Sequence, residues 1–262
     1  MLEHKDRWQI ILPVLVGISA LLVFAGPNVL LVDNIAWLTP GDAPQHYLGW
    51  AYFRGSDWSF PIGLNPDYGL ELGSAIVYSD SIPLLAIFFK IFDPILPDTF
   101  QYFGVWLLIC FTAQAVLSWK LIGLFSNDVM IRLLGVGFFV SSPPMINRMT
   151  QHISNVAHLT LVGHFLILAA LYLFLRPKPA RNAAPWLLLL AVAAMVHAYL
   201  FGMVAIFWFA DLVRSVSRKE RTRRTAVGHF LGAVALVCSF PGRLVFLVLG
   251  MISRQGDMGI LI

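Results

Sequence analysis

The sequence has little charge and almost no cysteine. Of its 262 residues, 12% are charged, 58% are hydrophobic and 2 are cysteines. A water-soluble fold of this length could not hide so much apolar surface, so lipid must be part of its solvent. Cys110 and Cys238 lie in separate apolar segments, which argues against both a disulfide framework and the spacing of a cysteine-based metal site.

The few cations occur in short clusters between apolar runs. The net charge is +4, but a nucleic-acid-binding protein arranges its Lys and Arg residues along a stripe or patch. We therefore expect no nucleic-acid partner. The clusters instead indicate topology, because cytoplasmic loops of membrane proteins carry an excess of Lys and Arg. They lie within residues 5–7, 176–181 and 214–224.

Long apolar runs predict membrane-spanning helices. In lipid every backbone polar group must be paired internally, and uninterrupted runs achieve this as helices and not as barrel strands. We predict an all-α, polytopic membrane protein that forms a single integral membrane domain over residues 1–262. It has about seven transmembrane helices, since a span needs about 20 apolar residues. The windows are 8–27, 102–123, 129–145, 155–175, 185–199, 200–214 and 227–250.

The positions of the basic clusters predict the sidedness. All three clusters, and the N-terminus, face the cytoplasm if the stretch 82–97 does not cross and if 185–214 divides into two short helices near His197. The stretch 82–97 is short and interrupted by prolines, which favours an interfacial or re-entrant helix. Residues 28–101 then form a large first extracytoplasmic loop that carries interfacial helices, and segment 142–154 lies on the same side.

Asp42, Gln45 and His46 open a short predicted helix in this first loop. Asp42 with Gln45 three residues later has the form of a capping box, in which the carboxylate only pairs backbone N–H groups at the helix start. The alternative is a general base or metal ligand at the membrane surface, where the carboxylate takes a proton from an acceptor hydroxyl. The spacing alone leaves both interpretations open.

Two further polar segments fall on the same predicted side. Asp80 precedes the stretch 82–97 and is typical of a helix cap, or else it is a second carboxylate that faces the same cavity as Asp42. Arg148, Gln151 and His152 have helical spacing that places them on one face. Such a stripe is either solvated or a binding face.

Isolated polar residues also interrupt the apolar runs. His197 marks the predicted turn between two short helices, and Arg243 breaks the last run. An arginine in hydrocarbon is costly, so Arg243 should meet a partner, a water-filled cavity or an anionic headgroup such as phosphate, unless it snorkels to the interface. His158 and His164 lie deeper, where a neutral histidine can simply bond a neighbouring helix, which makes them weaker candidates than the site residues.

This pattern resembles the GT-C superfamily of membrane glycosyltransferases. The short cytoplasmic N-terminus, the large first loop with an early acidic residue, and the short paired spans carry the resemblance. More narrowly, segments 41–47, 78–84 and 151–152 are similar to a bacterial membrane protein family described as domain of unknown function 6311. The resemblance implies a multi-pass protein of the bacterial inner membrane that transfers a sugar from a polyprenyl-phosphate carrier to an acceptor at the extracytoplasmic face.

The resemblance also implies roles for particular residues. Asp42 matches the first-loop acidic residue of the superfamily, which acts as the base or in a metal site, so a divalent metal is left open as a cofactor. Asp80 is implied as a second catalytic carboxylate by its location alone. The implied partners are membrane lipid and a polyprenyl-phosphate-linked sugar. Of the other residues, His152 and Arg243 are matched to the superfamily by location alone. The predicted substrate-binding residues, which converge on the same predicted side of the membrane, are Gln45, His46, Arg148, Gln151, His152, His197 and Arg243.

One departure from the superfamily concerns length. GT-C proteins usually have more spans, whereas this sequence stops at residue 262 directly after its last apolar run. We therefore expect a chain truncated at its C-terminus. Two alternatives to a transferase follow: a transporter or flippase for a lipid-linked substrate, which would use short interrupted helices, or a non-catalytic fragment of a larger membrane protein.

Overall fold

The computed structural model describes residues 2–69, 73–149, 158–177 and 183–239. The described chain is mostly helical, and 3₁₀ turns lie at Pro27–Leu30, Ala36–Leu38, Asp93–Ile95 and Leu159–Val162. A small antiparallel hairpin pairs β1 (Leu64–Asn65) with β2 (Ser74–Ala75), so the fold is not strictly all-α. The α-helices are α1 (Leu2–Phe24), α2 (Ala43–Gly55), α3 (Pro83–Ile91), α4 (Phe103–Ile122), α5 (Val129–Val140), α6 (Pro143–Met149), α7 (Phe165–Leu175), α8 (Ala184–Val196), α9 (Ala198–Ser217) and α10 (Arg223–Ser239).

Two helices of the described residues, α4 and α9, are long and apolar enough to cross a membrane. Helices α5 and α6 pass the same test together, with a 40° bend between them, which makes at most three candidates. The prediction of about seven spans is therefore wrong by this criterion. Apolar windows count composition, whereas a span needs a continuous helix, and the window 155–175 holds a 3₁₀ turn before α7 begins. The apolar helices remain compatible with a membrane protein.

His197 separates α8 from α9, and the predicted division of this apolar stretch is confirmed. The residue is extended, with φ −163° and ψ 140°. Its Nδ1 atom accepts the backbone N–H of Tyr199 at 3.1 Å, so the side chain caps the start of α9. With 20 residues, α9 is longer than the predicted window 200–214.

The core surrounds α4, which packs against α1, α5 and α7, while α9 packs against α7 and α8. The backbone of the first loop lies close against the start of α4. This packing requires a glycine at position 104, where a Cβ atom would lie 1.8 Å from the carbonyl oxygen of Val29. The side chain of Gln101 bonds to the same loop through its Nε2 atom, which donates to the carbonyls of Val29 (2.9 Å) and Leu31 (2.8 Å). The first loop is thereby fastened to the helical core.

Two cations hold the end of α2 against α3 and the 3₁₀ turn that follows it. The buried ammonium of Lys90 donates to the carbonyls of Phe53 and Ser56. Arg54 pairs with Asp93 and also donates to the carbonyl of Pro97 at 2.8 Å. These bonds join the end of α2 to the end of α3 and to the segment that follows it.

Candidate functional site

A strained turn presents the carboxylate of Asp80. Both Asp80 (φ 51°) and Ile82 (φ 49°) have left-handed backbone conformations, and Pro83 begins α3 directly afterwards. A left-handed β-branched residue is a genuine outlier, and such conformations cost about 1–3 kcal/mol each. They persist only where the surrounding structure imposes them, and they concentrate at functional sites.

The turn is imposed by buried hydroxyls and by a close approach to α2. The hydroxyls of Ser79 and Ser81 lie 2.8 Å apart, and that of Ser81 donates to the carbonyl of His46 at 2.9 Å. The hydroxyl of Tyr102 donates to the carbonyl of Ser81. Gly49 makes room for the turn, because a Cβ atom there would lie 2.1 Å from Ser79 Oγ.

The Asp80 carboxylate lies between two histidines from distant parts of the chain. Its Oδ2 atom is 3.2 Å from Nδ1 of His158, and its Oδ1 atom is 3.3 Å from Nε2 of His197. An ionised carboxylate only accepts, so both rings donate an N–H to it. Side-chain exposure is 16% for Asp80 and His197 but 33% for His158. His158 is thus the most accessible member of the trio.

The bonds also fix where the ring protons lie. Because Nδ1 of His197 accepts the Tyr199 N–H, the ring proton of His197 is on Nε2, the atom that faces Asp80. His158 instead directs its Nδ1 proton at the carboxylate. Its Nε2 atom then carries the lone pair when the ring is neutral.

These contacts keep Asp80 ionised. Burial by itself raises the pKa of the Asp80 carboxyl, but the hydrogen bond from His197, the electrostatic attraction of the His46 and His197 rings, and the hydrogen bond from His158 outweigh it. The pKa therefore lies below its ordinary value of 3.8. At neutral pH the site holds a carboxylate surrounded by imidazole rings.

The residues predicted on α2 have different places. Asp42 is exposed and its side chain makes no cap bond, so the capping-box interpretation is wrong. Gln45 and His46 contact the backbone of the strained turn: Gln45 Nε2 donates to the carbonyl of Tyr78, and the buried His46 donates through Nδ1 to the carbonyl of Ser79, each at 3.1 Å. Asp42 precedes His46 by four residues, one helical turn.

The other predicted residues are only partly described. Arg148 is exposed near the end of α6, and its carbonyl accepts the N–H of His158 at 3.1 Å. Gln151, His152 and Arg243 lie outside the described residues. Within the described ranges, no group of three or more His, Cys, Asp or Glu side chains is arranged to hold a metal ion.

Comparison with known proteins identifies the family. A family model described as Domain of unknown function (DUF6311) matches residues 14–260, almost the whole chain. The chain belongs to the DUF6311 family. No curated protein and no solved structure matches it. Membership confirms the narrower of the two resemblances, to DUF6311, whereas the relationship to GT-C enzymes stays a proposal.

His158 is a site residue that the sequence of this DUF6311 chain does not single out. Its place in an apolar run favours a histidine that bonds a neighbouring helix, yet its partner is the Asp80 carboxylate. A signal was available, since an ionisable residue inside an apolar run marks a functional site by default. What the sequence could not supply was the partner, which lies 78 residues away.

Proposed function

We propose that this DUF6311 protein is a GT-C-type glycosyltransferase, which transfers a sugar from a polyprenyl-phosphate carrier to a hydroxyl acceptor at the extracytoplasmic face of the membrane. The observation that carries the proposal is the Asp80–His158 pair. A carboxylate that holds the Nδ1 proton of an imidazole leaves Nε2 as a general base, and it stabilises the imidazolium that forms. Activation of a hydroxyl for group transfer requires such a base.

In the proposed step, Nε2 of His158 takes the proton of the acceptor hydroxyl while the oxygen attacks the anomeric carbon of the donor sugar. The bond between that carbon and the phosphate oxygen breaks, and the polyprenyl phosphate leaves with the electron pair. Asp80 stabilises the charged His158 ring, which then passes its proton to water. The exposed guanidinium of Arg148, whose backbone bonds to His158, is suited to hold the donor phosphate.

The length of α9 supports the proposed sidedness. Its 20 residues extend about 30 Å, the thickness of the hydrocarbon layer. His197 lies at its start, and Arg214 and Arg218 lie at its end. If that basic end faces the cytoplasm, as positive charge favours, the Asp80 site faces the opposite compartment, where polyprenyl-linked sugars are used by GT-C enzymes.

The direct test is sugar transfer by membranes that contain the protein. We expect membranes supplied with a radiolabelled polyprenyl-phosphate sugar to move the label onto a new product, and Asp80→Asn to lower this activity by about 10²- to 10⁴-fold because the base loses its anionic partner. Asp33→Asn is the matched control, since Asp33 is an exposed acid of the same first loop. Absence of any labelled product, or equal activity of the Asp80→Asn variant, would contradict the proposal.

A second candidate function is transport or flipping of a lipid-linked substrate. It is favoured by the break at His197 and by the 40° bend between α5 and α6, because transporters bind substrates at discontinuous helices. The same labelled donor distinguishes the two functions. Movement of intact donor across a proteoliposome membrane, with no new glycosidic product, would establish the transporter in place of the transferase.

A further inference from the structure

His197 makes two directional contacts that depend on each other. Its Nδ1 atom accepts the Tyr199 N–H at 3.1 Å, and its Nε2 atom faces Asp80 Oδ1 at 3.3 Å. The first contact caps α9 and forces the ring proton onto Nε2. The second uses that proton to hold one carboxylate oxygen. The start of α9 thereby selects the tautomer that Asp80 needs.

The remaining carboxylate oxygen is directed at His158. With Oδ1 held by His197, Oδ2 accepts the Nδ1–H of His158 at 3.2 Å. The two histidines therefore divide the carboxylate between them. The two rings also differ in exposure, since the His197 side chain is 16% exposed and the His158 side chain is 33% exposed. The His197 ring therefore offers a substrate about half the accessible fraction that the His158 ring offers.

We infer that His197 is a positioning residue, fixed in its Nε2–H tautomer by the start of α9, which orients Asp80 toward His158 and does not itself bind substrate. This inference rests on the proposed function for its kinetic consequence. The tautomer of His197 and the orientation of the Asp80 carboxylate do not depend on that function. Residues that orient a reacting group in this way are needed for activity although they never touch the substrate.

The tautomer can be measured on the purified full chain. We expect long-range ¹H–¹⁵N spectra of histidine-labelled protein at pH 8 to give His197 a protonated Nε2 and an unprotonated Nδ1, with the signal assigned by its loss in His197→Asn. A His197 ring that carries its proton on Nδ1, or on both nitrogens, would overturn the inference. This readout needs no substrate and no enzymatic activity.

Kinetics then separate positioning from helix capping and from substrate binding. Asparagine is among the best capping residues, but its side chain is shorter than a histidine ring and cannot bridge to Asp80 while it caps α9. We expect His197→Asn to keep the melting temperature close to that of the wild type and to lower kcat about tenfold or more with KM little changed. His197→Ala, which loses the cap as well, should melt lower.

The outcomes distinguish this inference from the proposed function. A His197→Asn variant with raised KM and normal kcat would make His197 a substrate-binding residue and overturn the inference. If the wild-type protein transfers no sugar, the proposed function fails, and the tautomer spectrum alone decides the role of His197.

Discussion

Replacing His158 by glutamine is expected to lower kcat for sugar transfer by about 10²- to 10⁴-fold. Glutamine can still donate an N–H toward Asp80, but its amide has no basic nitrogen to take a proton from the acceptor. The fold should survive, because the His158 side chain is one-third exposed and its backbone N–H still bonds to Arg148. Initial rates of transfer at saturating donor and acceptor measure the effect.

The matched control for this change is His229→Gln. His229 lies in α10, where its ring contacts Arg221 at 2.7 Å, and it belongs to no part of the proposed site. We expect this variant to transfer sugar at close to the wild-type rate. If both glutamine variants kept the wild-type transfer rate, the assignment of His158 as the base would be contradicted. If both lost activity to the same extent, the loss would be due to damage to the fold and not to the missing base.

Substitution of Gly49 by alanine is expected to lower the free energy of unfolding by about 1–3 kcal/mol and to reduce transfer activity at the same time. The new Cβ atom would lie 2.1 Å from Ser79 Oγ, 2.3 Å from Ser79 Cβ and 2.5 Å from Ser81 Oγ. All three atoms belong to buried parts of the turn that holds Asp80, so the turn must move. Thermal unfolding in detergent and transfer rates measure the two effects.

The control lies in the same helix. Gly55 ends α2, and a Cβ atom there would meet nothing within 4 Å. Gly55→Ala should therefore leave activity intact and change stability by no more than about 1 kcal/mol, in the stabilising direction. If Gly49→Ala behaved like Gly55→Ala, the close packing of α2 against the Asp80 turn would be refuted.

Local properties of the chain were predictable. Apolar runs indicated where most helices lie. The break between α8 and α9 near His197 was predictable because a single span there would have placed one of the two flanking basic clusters outside the cytoplasm. The number of spans was not predictable in this way. Composition does not reveal the 3₁₀ turn at Leu159–Val162 or the bend before α6, and these divide apolar runs into shorter helices.

The site itself depends on contacts that no local pattern encodes. Asp80, His158 and His197 are brought together from three separate segments, and the left-handed turn at Asp80 packs against α2 in the space that Gly49 leaves free. Asp42 was favoured as the base by its position in the first loop. The structure places it on the exposed start of α2, and the carboxylate in contact with imidazole rings is Asp80.

The choice between these two acids is the most direct test of the proposed chemistry. Sugar transfer should be measured side by side for Asp80→Asn and Asp42→Asn in the same membranes, with protein levels matched. If His158 and Asp80 form the base, Asp80→Asn loses far more activity than Asp42→Asn. The reverse order, with Asp42→Asn inactive and Asp80→Asn active, would contradict the Asp80–His158 base and return that role to the first-loop acid.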